Sequence, residues 1–403
     1  MSLNDTPMAE RTHIGFFGLR NAGKSSLVNR ITNQQVSLVS GIKGTTTDPV
    51  RKSMELLPLG PVTIIDTPGY DDEGMLGELR VGRTKEVLAT CDIAVLVIEN
   101  EVLDPSETEL LDLIRTRQIP CVIARNKMDI DADGNLEAGD NPAGILQGFP
   151  VIPVSAKSGE GVEALKEAIA GAVKSGTKQV RLVADLIGKG DTVVLVIPID
   201  TSAPKGRLIL PQQQAIRDIL DADAVSMVTS VGQLPNTLSG LKDDPALVIT
   251  DSQAFGKVMK IVPERIPLTS FSVLMARYKG FLAEAVEGAK AIDRLREHAK
   301  ILIAEGCTHH RQCEDIGTVK LPAWLKKYTG KDLELEFTSG HGYPDDLNDF
   351  DLIIHCGACM LNDNEVRNRM IAAQESGIPF TNYGTAIAHM NGILGRSIAP
   401  LGL

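Results

Sequence analysis

Short apolar runs alternate with helical periodicity along most of the chain. Residues 13–18 (His-Ile-Gly-Phe-Phe-Gly) read as a buried strand running into a glycine loop, and the spacing after it predicts a helix over 25–32. Further strands are predicted at 62–66, 93–98, 121–126 and 151–154, with helices at 78–89, 107–116 and 162–173 between them. Apolar strands joined by helical crossovers imply a parallel sheet covered on both faces.

A polar stretch, Lys174-Ser-Gly-Thr-Lys-Gln179, is the first candidate linker. Beyond it the pattern gives strands at 192–199, 225–230 and 246–250, a helix at 213–220, and a loop rich in Pro and Gly over 202–206. No catalytic motif falls in this segment, so it reads as a structural or association domain. Pro263 and Pro267 punctuate the entry to a third segment. Its predicted helices are 278–298, 314–328 and 364–376, and its predicted strands 300–304, 333–337, 351–354 and 379–382. The expected architecture is α/β throughout, with a larger domain over 1–175 and two smaller ones over 180–264 and 268–403.

Composition narrows the function classes. With 43% apolar and 23% charged residues, the 403-residue chain is ordinary for a soluble globular protein. No apolar run approaches the roughly 20 residues that span a bilayer. The segment MSLNDTPMAERTH has no signal-peptide core, so a cytoplasmic location and no membrane partner are expected. A net charge of −11 argues against a broad nucleic-acid-binding face. Of six cysteines, Cys307, Cys313, Cys356 and Cys359 crowd the last quarter, a distribution that favours metal or redox chemistry over disulfides.

Five motifs in order point to a guanine nucleotide. Gly18-Leu-Arg-Asn21-Ala22-Gly23-Lys24-Ser25 fits GxxxxGK[ST] between a strand and a helix. Its glycines let backbone N–H groups wrap phosphates, and the helix N-terminus, with Ser25 and Ser26, adds partial positive charge. Lys24 is expected to reach the β/γ-phosphates and Ser25 to ligate Mg2+. Asp66-Thr-Pro-Gly69 follows a strand, placing Asp66 at the Mg2+ shell and the Gly69 N–H at the γ-phosphate. Thr46, in Gly44-Thr-Thr-Thr-Asp48, is the candidate switch threonine on Mg2+. In Asn126-Lys127-Met-Asp129 the carboxylate can accept both guanine N1–H and N2–H, a pattern adenine does not offer. Ser155-Ala156-Lys157 supplies the loop behind the base.

This arrangement resembles the TRAFAC-type translation-factor-like GTPases, most closely the group containing MnmE and Era, over roughly residues 12–175. Two departures from the Ras-like pattern stand out. Tyr70 occupies the place of the glutamine that orients water, and Asn21 occupies the P-loop position where K+-activated members carry an asparagine ligand. The resemblance implies slow, K+-assisted GTP hydrolysis. Asp71, Asp72 and Glu73 read as an acidic exposed loop.

The second signal is Cys307-Thr-His309, then 45 residues, then His355-Cys356-Gly-Ala-Cys359. Both halves follow strand patterns, and neighbouring parallel strands deliver their C-terminal loops to one edge. Three thiolates and an exchangeable ligand suit a 4Fe-4S cluster, whereas two or three thiolates with histidine suit structural Zn2+. Cys313 reads as a packed residue, His341 as a loop residue and His298 as a helix-face residue. Spacing alone leaves three readings open: an iron–sulfur cluster, zinc, or unrelated buried cysteines.

The CxHx45HCxxC motif behind a GTPase and an α/β segment resembles the FeFe-hydrogenase maturation GTPases, the HydF family. The likeness extends through Pro204-Lys-Gly-Arg-Leu-Ile-Leu-Pro-Gln212 and Cys307-Thr-His-His-Arg-Gln-Cys-Glu-Asp-Ile-Gly317. It implies a 4Fe-4S cluster on Cys307, Cys356 and Cys359, with His309 or His355 as a possible fourth ligand. It also implies a homodimer formed through the middle domain, with apo-hydrogenase and the radical-SAM maturases as partners. The competing expectation is a zinc-stabilised, Era-like regulatory GTPase acting on the ribosome or structured RNA.

Overall fold

The computed structural model describes residues 6, 8–33, 49–70, 75–100, 102–129, 146, 148–176, 181–199, 208–306, 316–340, 342–344 and 346–403, with backbone alone for 75–81 and 174–176. The chain divides into two compact units, Met1–Lys178 and Gln179–Leu403.

The first unit runs β1 (Thr12–Phe17), α1 (Lys24–Thr32), β2 (Val50–Leu56), β3 (Gly60–Asp66), α2 (Met75–Ala89), β4 (Ile93–Ile98), α3 (Pro105–Thr116), β5 (Cys121–Arg125), β6 (Val151–Pro153) and α4 (Val162–Gly176). The sheet order is β2-β3-β1-β4-β5-β6. All pairings are parallel except β2 with β3, where Val50 faces Asp66. The antiparallel β2 was not foreseen, because its polar residues half-expose it at the sheet edge and weaken the apolar signal.

Period-2 alternation sends Ile14 and Phe16 to one face, with Val28, Ile31 and Leu165, and Phe17 to the other, with Leu88, Leu110 and Ile114. Asp104 caps α3 through the Ser106 N–H, while Glu107 returns a bond to the Asp104 N–H at 3.0 Å and Pro105 fills the first helical position.

The second unit holds two four-stranded parallel sheets. The first, β10-β9-β7-β8, is built from β7 (Thr192–Val196), β8 (Val225–Thr229), β9 (Leu247–Thr250) and β10 (Leu268–Ser270). Helices α5 (Leu210–Asp221), α6 (Leu234–Ser239) and α7 (Phe255–Val258) connect them. Residues 268–270 therefore belong to this sheet, although the sequence pattern placed them at the start of the third segment. Then follow α8 (Phe271–Tyr278) and α9 (Leu282–Lys290).

The other sheet, β12-β11-β13-β14, comprises β11 (Lys300–Glu305), β12 (Glu334–Ser339), β13 (Leu352–His355) and β14 (Phe380–Asn382). With it go α10 (Leu321–Thr329), α11 (Asp363–Glu375), α12 (Tyr383–Met390) and α13 (Leu394–Ile398). The two sheets share a core in which Val194, Val248 and Phe255 join Phe281, Ile303 and Ile353.

Three expectations for this region are corrected. The single helix over 278–298 does not form: α8 ends at Tyr278, Gly280 takes φ 78, and the rest of the span holds α9 over Leu282–Lys290 and a 3-10 turn over Ala291–Arg294. His298 lies on no helix: at φ 59, it donates its backbone N–H to Asp332 O in the turn before β11. Within the described part of 314–328, a π-helical turn over Ile316–Lys320 precedes α10, which restarts with Pro322 in its first turn. Among the described residues, no helix is long and apolar enough to cross a membrane.

Candidate nucleotide site and cysteine site

The loops after β1, β3, β5 and β6 emerge at one sheet edge, where β1 lies between β3 and β4 and the strand order reverses. Gly23, at φ 88, precedes α1, and a Cβ there would sit 2.2 Å from Asn126 Nδ2. Only glycine fits both the left-handed backbone and that contact. Lys24 is buried and its Nζ donates to Gly18 O (3.0 Å) and Leu19 O (2.7 Å), so its ammonium lies along the inside of the loop. Ala22 is buried beside it, Asn21 takes φ 64, and Ser26 is half-buried in the first turn of α1.

Ser25 Oγ donates to Asp66 Oδ2 at 2.6 Å, while Asp66 Oδ1 is buried without a hydrogen-bond partner among the described residues. A hydroxyl and a carboxylate in contact, with one buried oxygen unsatisfied, are a donor set suited to a hard divalent cation and its water shell. Thr67 Oγ1 donates to Phe16 O at 2.6 Å, and the Tyr70 N–H to Gly18 O at 3.1 Å, tying the Asp66–Gly69 loop to the phosphate loop. A Cβ on Gly69 would meet Arg20 Cα at 2.8 Å. The Tyr70 ring is buried among Phe17, Ile65 and Leu88, so it does not stand over the phosphate loop as a water-orienting glutamine would. Thr46 and residues 71–73 lie outside the described residues.

Asn126 joins three loops. Its Nδ2 donates to Ala22 O (2.9 Å), and its Oδ1 accepts the Ala156 N–H (3.0 Å). Asp129 accepts from Ser155 Oγ at 2.7 Å and lies 3.5 Å from Lys157 Nζ. The Ser155 hydroxyl, with Lys157 behind it, holds this carboxyl below the usual range and keeps it an acceptor. Lys127, at φ 69, pairs with Glu99 at 2.6 Å.

At the other site, β11 and β13 are neighbours, with Ala304 opposite His355. The Gly306 N–H points at Cys356 Sγ (3.1 Å), and the Ala358 N–H reaches the same sulfur at 3.3 Å. Cys356 and Cys359 are half-buried. Burial, then the nearby Cys359, pushes the Cys356 thiol up to about 11, against the pull of the two N–H bonds. Two backbone N–H donors on one half-buried sulfur form an environment able to receive the charge of a thiolate. Cys307, His309, His310, Cys313 and His341 lie outside the described residues. Among the described residues, no group of three or more His, Cys, Asp or Glu side chains is placed to hold a metal ion.

His355 is fully buried. Its Nδ1 lies 3.0 Å from Cys356 O, and its Nε2 lies 3.1 Å from Arg369 Nη1. Burial, then Arg369, lowers its pKa to about 3, so the ring is neutral. Arg369 also donates to Glu365 Oε1 (2.7 Å) and Gly340 O (2.6 Å). This buried network and Lys279, whose Nζ reaches Leu361 O at 2.8 Å, are parts of the site that sequence reasoning missed. Neither Arg369 nor Lys279 lies in a motif; the Lys279-Gly280 pair at a helix end was the one local cue.

Comparison with known proteins follows this division. Residues 13–127 match the model of the 50S ribosome-binding GTPase family. Residues 182–280 match the hydrogen maturase F dimerization domain, and 283–400 the hydrogen maturase F tetramerization domain. The chain is 34% identical over 154 residues to the tRNA modification GTPase MnmE of Desulfotalea psychrophila, covering 38% of this chain and 32% of that protein. It is 28% identical over 160 residues to GTPase Era of Crocosphaera subtropica (39% and 51% covered). To GTPase Der of Sulfurimonas denitrificans it is 30% identical over 173 residues (41% and 35% covered). The chain thus spans a third to a half of the length of these relatives. Among solved structures, Aquifex aeolicus Era bound to GDP.AlF4- matches at TM-score 0.35 and 20% identity, covering 54% of this chain and 92% of that one. The two hydrogen maturase F domains together account for just over half of the sequence, behind a P-loop GTPase domain. The chain belongs to the hydrogen maturase F family of hydrogenase maturation GTPases.

Proposed function

We propose that this chain is a GTP-hydrolysing scaffold and carrier that assembles or delivers the diiron precursor of the FeFe-hydrogenase active site to apo-hydrogenase. The carrying observation is the pair of backbone N–H groups on Cys356 Sγ where β11 and β13 end side by side, within a hydrogen maturase F domain. In this reading Cys307, Cys356 and Cys359 hold a 4Fe-4S cluster, with His309 or His355 as a possible fourth ligand. When bound, the cluster supplies an iron with an exchangeable position, suited to attaching the diiron cargo and releasing it.

At the nucleotide site, Lys24 leaves the Gly18 and Leu19 carbonyls for the β/γ-phosphates. Ser25, Thr46 and Asp66 serve Mg2+, the Gly69 N–H meets the γ-phosphate, and Asn126, Lys127 and Asp129 read guanine. Gly18, Ala22, Gly23 and Ser26 shape the phosphate side, and Ser155, Ala156 and Lys157 back the base. Asn21 is assigned to K+, and the burial of Tyr70 favours slow hydrolysis. The division is 1–175 for the switch, the sequence-based 180–264 extended through β10 at 268–270 for dimerisation, and the rest of 268–403 for the cluster, in a cytoplasmic protein served by radical-SAM maturases. The matches over 182–280 and 283–400 favour this over a zinc-stabilised GTPase acting on RNA.

The test is transfer of the precursor to apo-hydrogenase, and affinity for the maturases, with GTP, GDP or a non-hydrolysable analogue. A dependence on the nucleotide is expected; identical behaviour in all three states contradicts the proposal.

A further inference from the structure

Lys279 ends α8, and its side chain does not run into solvent. It is 3% exposed, and Nζ donates to Leu361 O (2.8 Å) and to Asp363 Oδ1 (2.9 Å). These acceptors lie two and four residues past Cys359, so the ammonium is anchored at the end of the loop that carries Cys356 and Cys359. The rest of α8 holds the same loop and its surroundings. Cys359 packs against the core containing Phe271, Leu274 and Met275. Gly357 faces Ser272, whose Oγ would lie 3.7 Å from a Cβ there, and Asn382 Nδ2 donates to Ser272 O at 2.9 Å.

A latch needs hydrogen bonds but no charge, and burying an ammonium carries a desolvation cost that a neutral donor avoids. The countercharge is unequal, because Asp363 is 49% exposed and water screens it while the ammonium stays dry. Lys279 thus places a dry positive charge within the hydrogen bonds that anchor this loop, opposed on the Cys356 side by Glu305, buried at the end of β11. A four-iron cluster on three thiolates is anionic, and one-electron reduction adds a further negative charge. A fixed buried cation stabilises the reduced form more than the oxidised one.

We propose that Lys279 is the positioning residue of the cysteine site, seating the Cys356–Cys359 loop on α8 and holding the reduction potential of the bound cluster up through its buried charge. The inference rests on the reading of these cysteines as cluster ligands.

The experiment uses the full chain purified anaerobically as wild type, Lys279→Met, Lys279→Gln and Lys279→Arg. Iron and sulfide are measured per chain, and the midpoint potential by a mediated redox titration followed by electron paramagnetic resonance. Both neutral variants are expected to titrate at a more negative potential than wild type, with Lys279→Arg close to wild type. Neutral variants that fold but lose iron, while Lys279→Arg keeps it, also support the assignment. Neutral variants at the wild-type potential overturn it. So does equal loss of iron from all three variants, or failure of both neutral chains to fold, since geometry or the fold alone would then need the lysine. Absence of iron and sulfide from the wild type overturns the cluster reading itself, and the inference falls with it.

Discussion

Nε2 of His355 lies 3.1 Å from Nη1 of Arg369, and because a guanidinium only donates, this contact makes Nε2 the acceptor and Nδ1 the protonated nitrogen. Nδ1–H then donates to Cys356 O at 3.0 Å, so one buried ring links α11 to the first cysteine of the CxxC loop. Both ring nitrogens are engaged in this arrangement. Binding iron through Nε2 would require Arg369 to move.

Arg369→Met should destabilise the chain by about 3–5 kcal/mol, because it takes the guanidinium away from the buried Glu365 carboxylate. Urea unfolding measures this. Adding Glu365→Gln should recover part of the loss, since the two sites share one contact. Full additivity in the double variant would show that the pair is not coupled.

Asp351 sits where β13 begins, accepting the Lys300 N–H (2.9 Å) and Arg296 Nη2 (2.8 Å). The Lys300 N–H, then Arg296, hold its carboxyl below the ordinary range. The folded state therefore favours the ionised form: its contribution is present above the unfolded value near pH ~4 and is lost as pH falls through the folded one. Asp351→Asn should cost about 1 kcal/mol at neutral pH, and the gap from wild type should close in acid. A gap independent of pH would contradict this.

Asp129→Asn replaces an acceptor of two guanine donors with an amide that presents its own donors. GTP affinity should fall by at least about 100-fold, while the fold, followed by far-UV circular dichroism, stays intact. Binding within a few-fold of wild type would remove Asp129 from the base site.

β8 is a sheet edge with Val225 and Val228 each 50% exposed and Leu220 on the preceding helix 56% exposed. An open apolar edge invites pairing with another strand. Within the family's dimerization domain it is our candidate contact between two copies. Val228→Lys should lower the mass seen by sedimentation towards that of one chain. An unchanged mass would place the interface elsewhere.

The parallel strands of the first unit were legible because each is an apolar run between turn residues; Ile93–Ile98 is buried at every position. The nucleotide motifs were legible for a related reason, since phosphate and base contacts need fixed residue types at fixed spacing. β2 was not legible because its alternation is polar and half-exposed. α12 was missed because it is buried along Tyr383–Ala388, which erases the amphipathic period. Lys279 carries no motif; its meaning comes from where the chain 82 residues later places Leu361 O. Long-range contacts of that kind leave no local pattern in a sequence.

The central claim is that the cysteines hold an iron–sulfur cluster. The most direct test is joint determination of iron, sulfide and zinc in the anaerobically purified chain and its Cys307→Ala, Cys356→Ala and Cys359→Ala variants. The account predicts about four irons and four sulfides per wild-type chain, with loss in each variant. Stoichiometric zinc without iron would contradict it.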